Sequence, residues 1–309
     1  MTPASILRAP LALGYFLGTG GAARSDGRAR ILMLHGTPRH RAAMLERLLR
    51  YARRFFDVVP LARIGRDAAA GDVRFRRQIA ITFDDGLRNN VAVAYPILRG
   101  LGLPATFFIC PQLVEERRWI WSHEARARLR FLGLPGARVE EMKKLPFYER
   151  ITEEAKLREA SRAWKPRAAE SEAYDLASWE ELRSLDPALV TIGSHTLTHP
   201  ILPSLDDAAL EREVGGSRRL LEARLERPVE LFAYPNGDHD ARSLACARRH
   251  YAAAVTVEEG FVREGADALR LPRIPAPWSA LRLALVLHRE PPGYLRVAPM
   301  TASGSQVAI

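Results

Sequence analysis

Short apolar runs recur along the chain, and a longer polar or amphipathic stretch separates each run from the next. The runs span four to six residues and are rich in isoleucine, valine and phenylalanine, which suits buried strands better than helices. Three of them run into polar residues and a glycine that can stop a strand, at residues 35–36, 84–86 and 193–195. The predicted strands cover residues 31–34, 78–83, 104–109, 189–192, 229–233 and 252–257.

Between these runs, apolar residues repeat at helical spacing over residues 41–55, 90–99 and 206–225. Gly100 and Gly102 are expected to stop the second of these helices. Strands that alternate with helices pair in parallel, because each parallel crossover needs a dozen or more residues. About seven such units favour a closed or distorted (β/α) barrel. An open doubly wound sheet is the alternative, although no glycine-rich phosphate loop opens a helix.

The composition divides the chain into unequal parts. Residues 29–290 are expected to form one domain, and residues 115–180 are expected to be a helical insertion in it, because they are rich in charged residues and carry four of the five tryptophans. Residues 1–28 are an N-terminal segment, either a helix or a weak signal or anchor sequence. Residues 291–309 are expected to be an irregular tail. No stretch approaches the roughly 20 apolar residues that span a bilayer.

The net charge of +10 comes mostly from arginine. Such a balance favours contact with anionic partners, including an anionic membrane surface, at which the protein would be peripheral. No helix-turn-helix, zinc-finger or aromatic RNA-binding signature accompanies the charge, so nucleic acid is not an expected partner. Cys110 and Cys246 lack redox or zinc-finger spacing and leave the redox compartment open. A cytoplasmic or membrane-peripheral location is favoured, with export as the alternative. The protein is expected to be a monomer.

Polar residues that can bind a metal follow three of the predicted strands. His35 follows the first strand, Asp84 and Asp85 follow the second, and His195 follows the strand at 189–192. His199 lies four residues after His195, and a helical turn there would bring both imidazoles to one face. In a barrel, strand ends and the loops after them form the active site. Two histidines and one carboxylate would leave positions open for water and substrate.

Each of these features alone has an ordinary structural explanation. Asp-Asp-Gly after a strand is commonly a turn, a His-x3-His pair is often a helix start with exposed rings, and His35 could be a core histidine. Their joint occurrence at predicted strand ends favours a catalytic metal site. Of two adjacent aspartates, one can bind the ion while the other takes a proton from water.

Several motifs resemble those of the polysaccharide deacetylases with a NodB homology domain. Ile-Thr-Phe-Asp-Asp-Gly at 81–86 and Ser-His-Thr-Leu-Thr-His-Pro at 194–200 are similar to the first two family motifs. Weaker similarity is found at residues 31–35, 103–108, 231–237 and 271–274. The resemblance covers about residues 29–275, which is most of the chain, and the order of the motifs is specific.

The resemblance implies a distorted (β/α)7 barrel, a metal triad of Asp85, His195 and His199, and Asp84 as catalytic base. The implied ion is divalent, usually zinc, and the implied partner is an acetylated glycan. Water activated by the ion would attack the acetamide carbonyl of an N-acetylated sugar and release acetate and an amine. A backbone N–H near Tyr234 would stabilise the oxyanion, and Tyr234, Pro235 and Asn236 would contact the substrate.

The sequence departs from the family pattern at three points. Phe232 and Ala233 stand where many members carry an arginine that orients the base, so Arg273 is the candidate replacement. Asn236 replaces an aromatic residue that often lines the sugar groove. The late Leu-x-His motif that supplies the acid is not evident. Resemblance to the family subgroup with a histidine on the first strand implies His35 as the general acid.

Two other functions compete with that of a deacetylase. One is a glycan-binding module that has kept the fold without catalysis. The other is a related amidohydrolase acting on a cyclic imide or another non-sugar amide. The complete Asp/His set favours catalysis, and the tryptophans of the predicted insertion mildly favour sugar, because aromatic faces often bind sugar rings.

Overall fold

A computed structural model describes residues 27–71, 75 and 77–288. Nearly all of the expected N-terminal segment and the whole expected C-terminal tail lie outside these residues. Among the described helices, none has both the length and the apolar character that a bilayer crossing needs.

Eight strands form one sheet in which every strand pairing is parallel. Strand β1 pairs with both β8 and β3, so seven strands close into a ring in the order β1-β8-β7-β6-β5-β4-β3. The two-residue strand β2 lies outside the ring on β3. The predicted distorted (β/α)7 barrel is therefore confirmed. The strands are β1 (Arg30–Leu34), β2 (Asp57–Val58), β3 (Gln78–Phe83), β4 (Ala105–Ile109), β5 (Val190–Ser194), β6 (Leu231–Ala233), β7 (Ala253–Glu259) and β8 (Leu271–Pro275).

Burial on both faces explains why the strands appear as continuous apolar runs. All residues of β3 and β4 are buried, since barrel side chains fill the inside of the ring while helices cover the outside. The ring is irregular at β5 and β6, which share a single residue pair, Ser194 with Phe232. Its interior also holds a charged side chain, because Arg273 on β8 is fully buried.

Twelve α-helices lie among the described residues. The predicted helices at 41–55 and 206–225 are present, and the second begins with Asp206 as N-cap, whose side chain accepts the N–H of Ala209 at 2.7 Å. The α-helices are α1 (Ala42–Phe55), α2 (Leu61–Ala70), α3 (Tyr95–Leu101), α4 (Pro111–Glu116), α5 (Trp121–Phe131), α6 (Arg138–Met142), α7 (Phe147–Ala160), α8 (Ala168–Tyr174), α9 (Trp179–Arg183), α10 (Asp207–Leu225), α11 (Ala241–His250) and α12 (Ala280–His288).

The helix predicted at 90–99 differs in both its form and its end. It starts as a π-helical turn over Asn90–Ala94 and continues as α3. The expectation that Gly100 stops it is wrong, because the helix includes Gly100 and ends at Gly102, whose φ is 63°. The left-handed C-cap conformation at position 102 is the one that glycine adopts without strain.

The chain between β4 and β5 folds as six helices, α4 to α9, here called the β4–β5 helical segment. It has a small apolar cluster of its own in addition to the main core of the barrel. Trp121 of α5 is buried in this cluster at 5% exposure. The members of the cluster are Cys110, Leu113, Ile120, Trp121, Ala125, Leu129, Val139 and Met142.

Candidate metal centre and active site

The loop after β3 carries both aspartates into the barrel mouth. Asp84 continues the sheet, since its N–H donates to the carbonyl of Leu34 at 2.9 Å. Asp85 and Gly86 then turn the chain with φ values of 75° and 68°. This conformation is unusual for a residue with a side chain and is found most often at functional sites. Ile109 also packs closely there, since its Cδ1 would stand 3.0 Å from a Cβ at position 86.

The loop after β5 carries both histidines, but the expected helical turn between them is absent. Thr196 and His199 have φ values of 67° and 59°, which a right-handed helix does not allow. Hydrogen bonds hold the loop instead. The Thr196 hydroxyl accepts the N–H of His199 at 3.0 Å, and Glu213 of α10 accepts both the N–H of Thr198 at 3.0 Å and its hydroxyl at 2.8 Å.

Asp85, His195 and His199 nevertheless converge on one point. One carboxylate oxygen of Asp85 lies 3.6 Å from Nε2 of His195 and 3.7 Å from Nε2 of His199. Two ligand atoms of one tetrahedral zinc ion, each about 2.0–2.2 Å from it, stand roughly 3.3–3.6 Å apart. All three residues are buried. The donor set and its spacing therefore fit a divalent ion of the zinc type.

A neighbouring carbonyl fixes how His195 faces the centre, whereas Nδ1 of His199 is buried without a hydrogen-bond partner among the described residues. The Nδ1 of His195 lies 2.7 Å from the carbonyl of Ala233, which can only accept, so this nitrogen carries the proton and Nε2 offers its lone pair. The carbonyl of His199 accepts the indole N–H of Trp121 at 3.2 Å. Burial lowers the pKa of His195, and burial together with His195 lowers the pKa of His199 to about 3. Both rings are thus neutral, as metal ligands must be.

Asp84 forms a buried ion pair with Arg273. The two guanidinium nitrogens donate to the two carboxylate oxygens, each at 2.7 Å. Arg273 also donates to the carbonyl of Thr256 at 2.7 Å and to the hydroxyl of Thr82 at 3.1 Å, which fixes its plane. Burial alone would raise the pKa of Asp84, but the charge and hydrogen bonds of Arg273 hold it well below its usual range.

His35 lies at the exposed rim of the same site, directly after β1. Burial alone would raise the pKa of Asp85, and the positive charge that His35 can carry is the largest influence that lowers it. The charge of His35 also lowers the pKa of Asp84, but less than Arg273 and His195 do. The histidine is therefore close to both carboxylates while one side of it remains open to solvent.

The three residues after β6 that were expected to contact the substrate differ in their exposure. Tyr234 is fully buried, its hydroxyl donates to the carbonyl of Leu269 at 3.1 Å and its N–H donates to Val255 at 3.2 Å. Its side chain has no surface for a substrate, and its own N–H is not free for an oxyanion. Pro235 is buried next to it, whereas Asn236 is exposed with a left-handed φ of 54°.

A family profile described as polysaccharide deacetylase matches residues 73–255, more than half of the chain. The chain belongs to the polysaccharide deacetylase family. The resemblance found in its motifs is thereby confirmed.

Individual relatives of this deacetylase-family chain are distant. The Bacillus subtilis protein YxkH, named for the same family, is 20% identical over 197 residues, which cover 63% of this chain and 50% of YxkH. The alignment thus spans about half the length of that relative.

Two solved structures share the fold. The Streptococcus pyogenes deacetylase PplD, in complex with acetate, has a TM-score of 0.59 and 17% identity, with 85% of this chain and 98% of PplD covered. IcaB from Ammonifex degensii has the same TM-score and identity and covers 85% of this chain and 97% of its own. At these identities both comparisons show the barrel alone.

Sequence reasoning missed the groups that the β4–β5 helical segment brings to the candidate metal centre. Trp121 contacts the His199 loop, and His123, whose charge acts on Asp85, stacks on Tyr174. It also missed Glu213, which holds the histidine loop. The tryptophans of this segment were a signal for it, but nothing in their spacing shows that they face the metal ligands.

A second group of potential ligand atoms lies between α10 and α11, on Glu211, Cys246 and His250. Here the carboxylate of Glu211 is already engaged, with His250 Nε2 at 2.7 Å from one oxygen and Arg249 donating to the other at 2.8 Å. The guanidinium supplies the positive charge that an ion would bring. In this protein these three residues serve as a contact between α10 and α11.

Proposed function

We propose that this chain is a metal-dependent deacetylase that removes acetyl groups from N-acetylated sugars of a polysaccharide, oligosaccharide or glycolipid. One observation carries the proposal. Two imidazole Nε2 atoms lie within 3.7 Å of the same carboxylate oxygen of Asp85. Beside them is a second carboxylate, which an arginine holds in place. A hydrolytic metal site needs this combination of open ligands and an adjacent base.

Asp85, His195 and His199 would hold the ion, and the nitrogen and oxygen donors favour zinc. When bound, a divalent ion at this position would activate water and polarise the acetamide carbonyl. The chain prepares its ligands in advance, because burial keeps both histidines neutral and the carbonyl of Ala233 directs Nε2 of His195 inwards. Little rearrangement is then required on binding.

Asp84 is the proposed base, and Arg273 is the residue that positions it. A base must be ionised before the reaction, and the ion pair keeps Asp84 in this form. The carboxylate has lone pairs beyond the two that accept from Arg273, so it can still take a proton from water. Arg273 would thus fill from β8 the role of the arginine that many family members carry at the positions of Phe232 and Ala233 on β6.

His35 is the proposed acid. Hydrolysis breaks the bond between the acetyl carbon and the sugar nitrogen, and the nitrogen must gain a proton to leave as an amine. The imidazole lies on the rim, where it is open to solvent and its charge acts on Asp85. The exposed Asn236 is the remaining candidate for substrate contact in the segment after β6.

The experiment that tests this function measures acetate release from a panel of acetylated glycans. The panel holds chitin-like oligomers, peptidoglycan fragments, an exopolysaccharide repeat and a lipid-linked acetylated sugar, each with and without chelator. Release that stops with chelator and returns with zinc supports the proposal. Binding of glycans without release would favour a non-catalytic module, and hydrolysis of small amides alone would favour a different amidohydrolase.

We also propose that the enzyme is a monomer that contacts anionic membrane surfaces peripherally, on the basis of its net charge of +10. Flotation with anionic liposomes at low salt tests the contact. Protein that stays in the soluble fraction would contradict it.

A further inference from the structure

The β4–β5 helical segment is attached to both loops that carry the metal ligands. At its first attachment, Trp121 begins α5 and donates its indole N–H to the carbonyl of His199. At its second, residues 175–177 run antiparallel to the loop after Asp85. The N–H of Ala177 donates to Gly86 at 2.9 Å, and the N–H of Arg88 donates to the carbonyl of Asp175 at 2.8 Å. The segment therefore forms one wall of the site.

His123 lies between these two attachments. It is in the first turn of α5, two residues after Trp121, and its ring stacks on Tyr174 with centroids 4.6 Å apart and planes 29° apart. Tyr174 directly precedes the residues that pair with the Asp85 loop. Because α5 and the residues after Tyr174 are both hydrogen-bonded to loops that carry the proposed metal ligands, the ring is held beside the centre.

The electrostatics independently place His123 at the site. After burial, the strongest influence on the pKa of His123 is the charge of Asp85, and His35 also contributes. The charge that His123 can carry in turn lowers the pKa values of Asp85 and His199. Burial prevails and lowers the pKa of His123 to about 4, so its imidazole is neutral near pH 7.

The two ring nitrogens of His123 have different surroundings. Nδ1 is buried and has no hydrogen-bond partner among the described residues. A buried N–H without a partner is costly, so the neutral ring keeps its proton on Nε2. The side chain as a whole is only partly buried. Nε2 is not enclosed in this way and makes no hydrogen bond to a described residue, so its N–H can donate to a ligand.

We propose that His123 is a substrate-contacting residue that donates a hydrogen bond from Nε2 to an oxygen of the N-acetylated sugar, and that Tyr174 is the positioning residue that fixes its ring. This inference rests on the proposed deacetylase function and deepens it. A neutral donor matches the hydroxyl and carbonyl oxygens of an uncharged sugar. The β4–β5 helical segment would then help to select which acetylated sugar reaches the metal centre.

The test uses His123→Phe, which keeps an aromatic ring against Tyr174 but removes both nitrogens. Acetate release is measured with the panel glycan that the unmodified chain deacetylates fastest. We expect KM to rise about tenfold or more, the loss that one hydrogen bond would cause, with zinc affinity unchanged. Because the variant also removes a buried nitrogen without a partner, its melting temperature should be equal or higher.

Binding is measured separately with the inactive Asp84→Asn chain, using the same glycan and calorimetry. Adding His123→Phe should weaken the glycan Kd by the same factor as KM. Tyr174→Leu should weaken it less, because the ring loses its support but keeps its donor, and Tyr174→Phe should match the parent. Tyr148→Phe, on an exposed tyrosine of the same helical segment, is the matched control and should change nothing.

Three results would overturn the inference in different ways. Acetate release and glycan binding that His123→Phe leaves unchanged would overturn the role of His123 alone. A lower zinc affinity or melting temperature in that variant, without a separate change in glycan Kd, would assign His123 a structural role instead. Failure of the unmodified chain to release acetate from every glycan would overturn the proposed function and this inference with it.

Discussion

The carboxylate of Asp84 and the guanidinium of Arg273 face each other in a two-point ion pair, although 189 residues separate them in the chain. Both side chains are almost fully buried, at 3% and 0% exposure. The pair joins β8 to the end of β3 across the inside of the barrel. It is thus at once an element of the core and the support of the proposed base.

Replacing Arg273 with methionine should destabilise the fold by about 3–5 kcal/mol, because Asp84 would remain buried without its partner. Urea unfolding of the metal-free protein measures this loss. The double variant Asp84→Asn/Arg273→Met should recover a large part of it, since no buried charge is then unpaired. Additive losses in the double variant would show that the two residues contribute independently.

Asp84→Asn should reduce kcat by about 10²–10⁴-fold, the usual contribution of a positioned base. Zinc affinity should remain near that of the unmodified chain, because Asp84 is not among the three converging groups. Steady-state acetate release and calorimetric zinc titration measure the two quantities. Unchanged turnover with intact zinc binding would exclude Asp84 as the base.

The metal-free protein should lose stability as the pH falls from about 6.5 towards 3. The pKa of His199 is about 3 in the fold, against about 6.5 in an unfolded chain, so the unfolded state binds more protons in this window. The contribution of His199 is complete above pH 6.5, and about 2 kcal/mol of it should be lost by pH 5. Thermal unfolding across this range measures the slope.

His199→Phe is the control for this pH dependence, because it removes the titrating group and keeps an apolar ring. Its melting temperature should fall less steeply between pH 6.5 and 5 than that of the unmodified metal-free chain. Equal slopes in the two proteins would show that His199 is not the source of the pH dependence.

Glu213→Gln should lower zinc affinity by about 10–100-fold, the usual effect of losing a group that orients metal ligands. Glu213 accepts two hydrogen bonds from Thr198, and the neutral amide cannot accept both in the same way. Asp207→Asn, on an exposed aspartate of the same helix, is the matched control. An affinity equal to that of the control would show that the loop holds its shape without Glu213.

The sequence predicts the barrel and brings the proposed metal ligands to its strand ends, because both depend on local patterns. Buried parallel strands appear as apolar runs, and parallel strand ends meet at one side of the barrel, so Asp85 and His195 had to be close. The path between His195 and His199 was not predictable in this way. It depends on left-handed residues and on the distant Glu213, which no local spacing reveals.

The helical segment shows the same limit. Arg273 could be proposed from a family pattern, but His123 enters the site only because α5 and residues 175–177 attach to separate loops. Such attachments depend on single hydrogen bonds between residues far apart in the chain. Their consequences for the site are visible only in three dimensions.

The most direct test of the central claim is a zinc titration of the metal-free protein while acetate release from the best panel glycan is followed. Acetate release should rise from near zero and level off at about one zinc per chain, and the same titration of Asp85→Asn should give almost none. Full acetate release by the metal-free protein, or by Asp85→Asn, would contradict the metal centre described here.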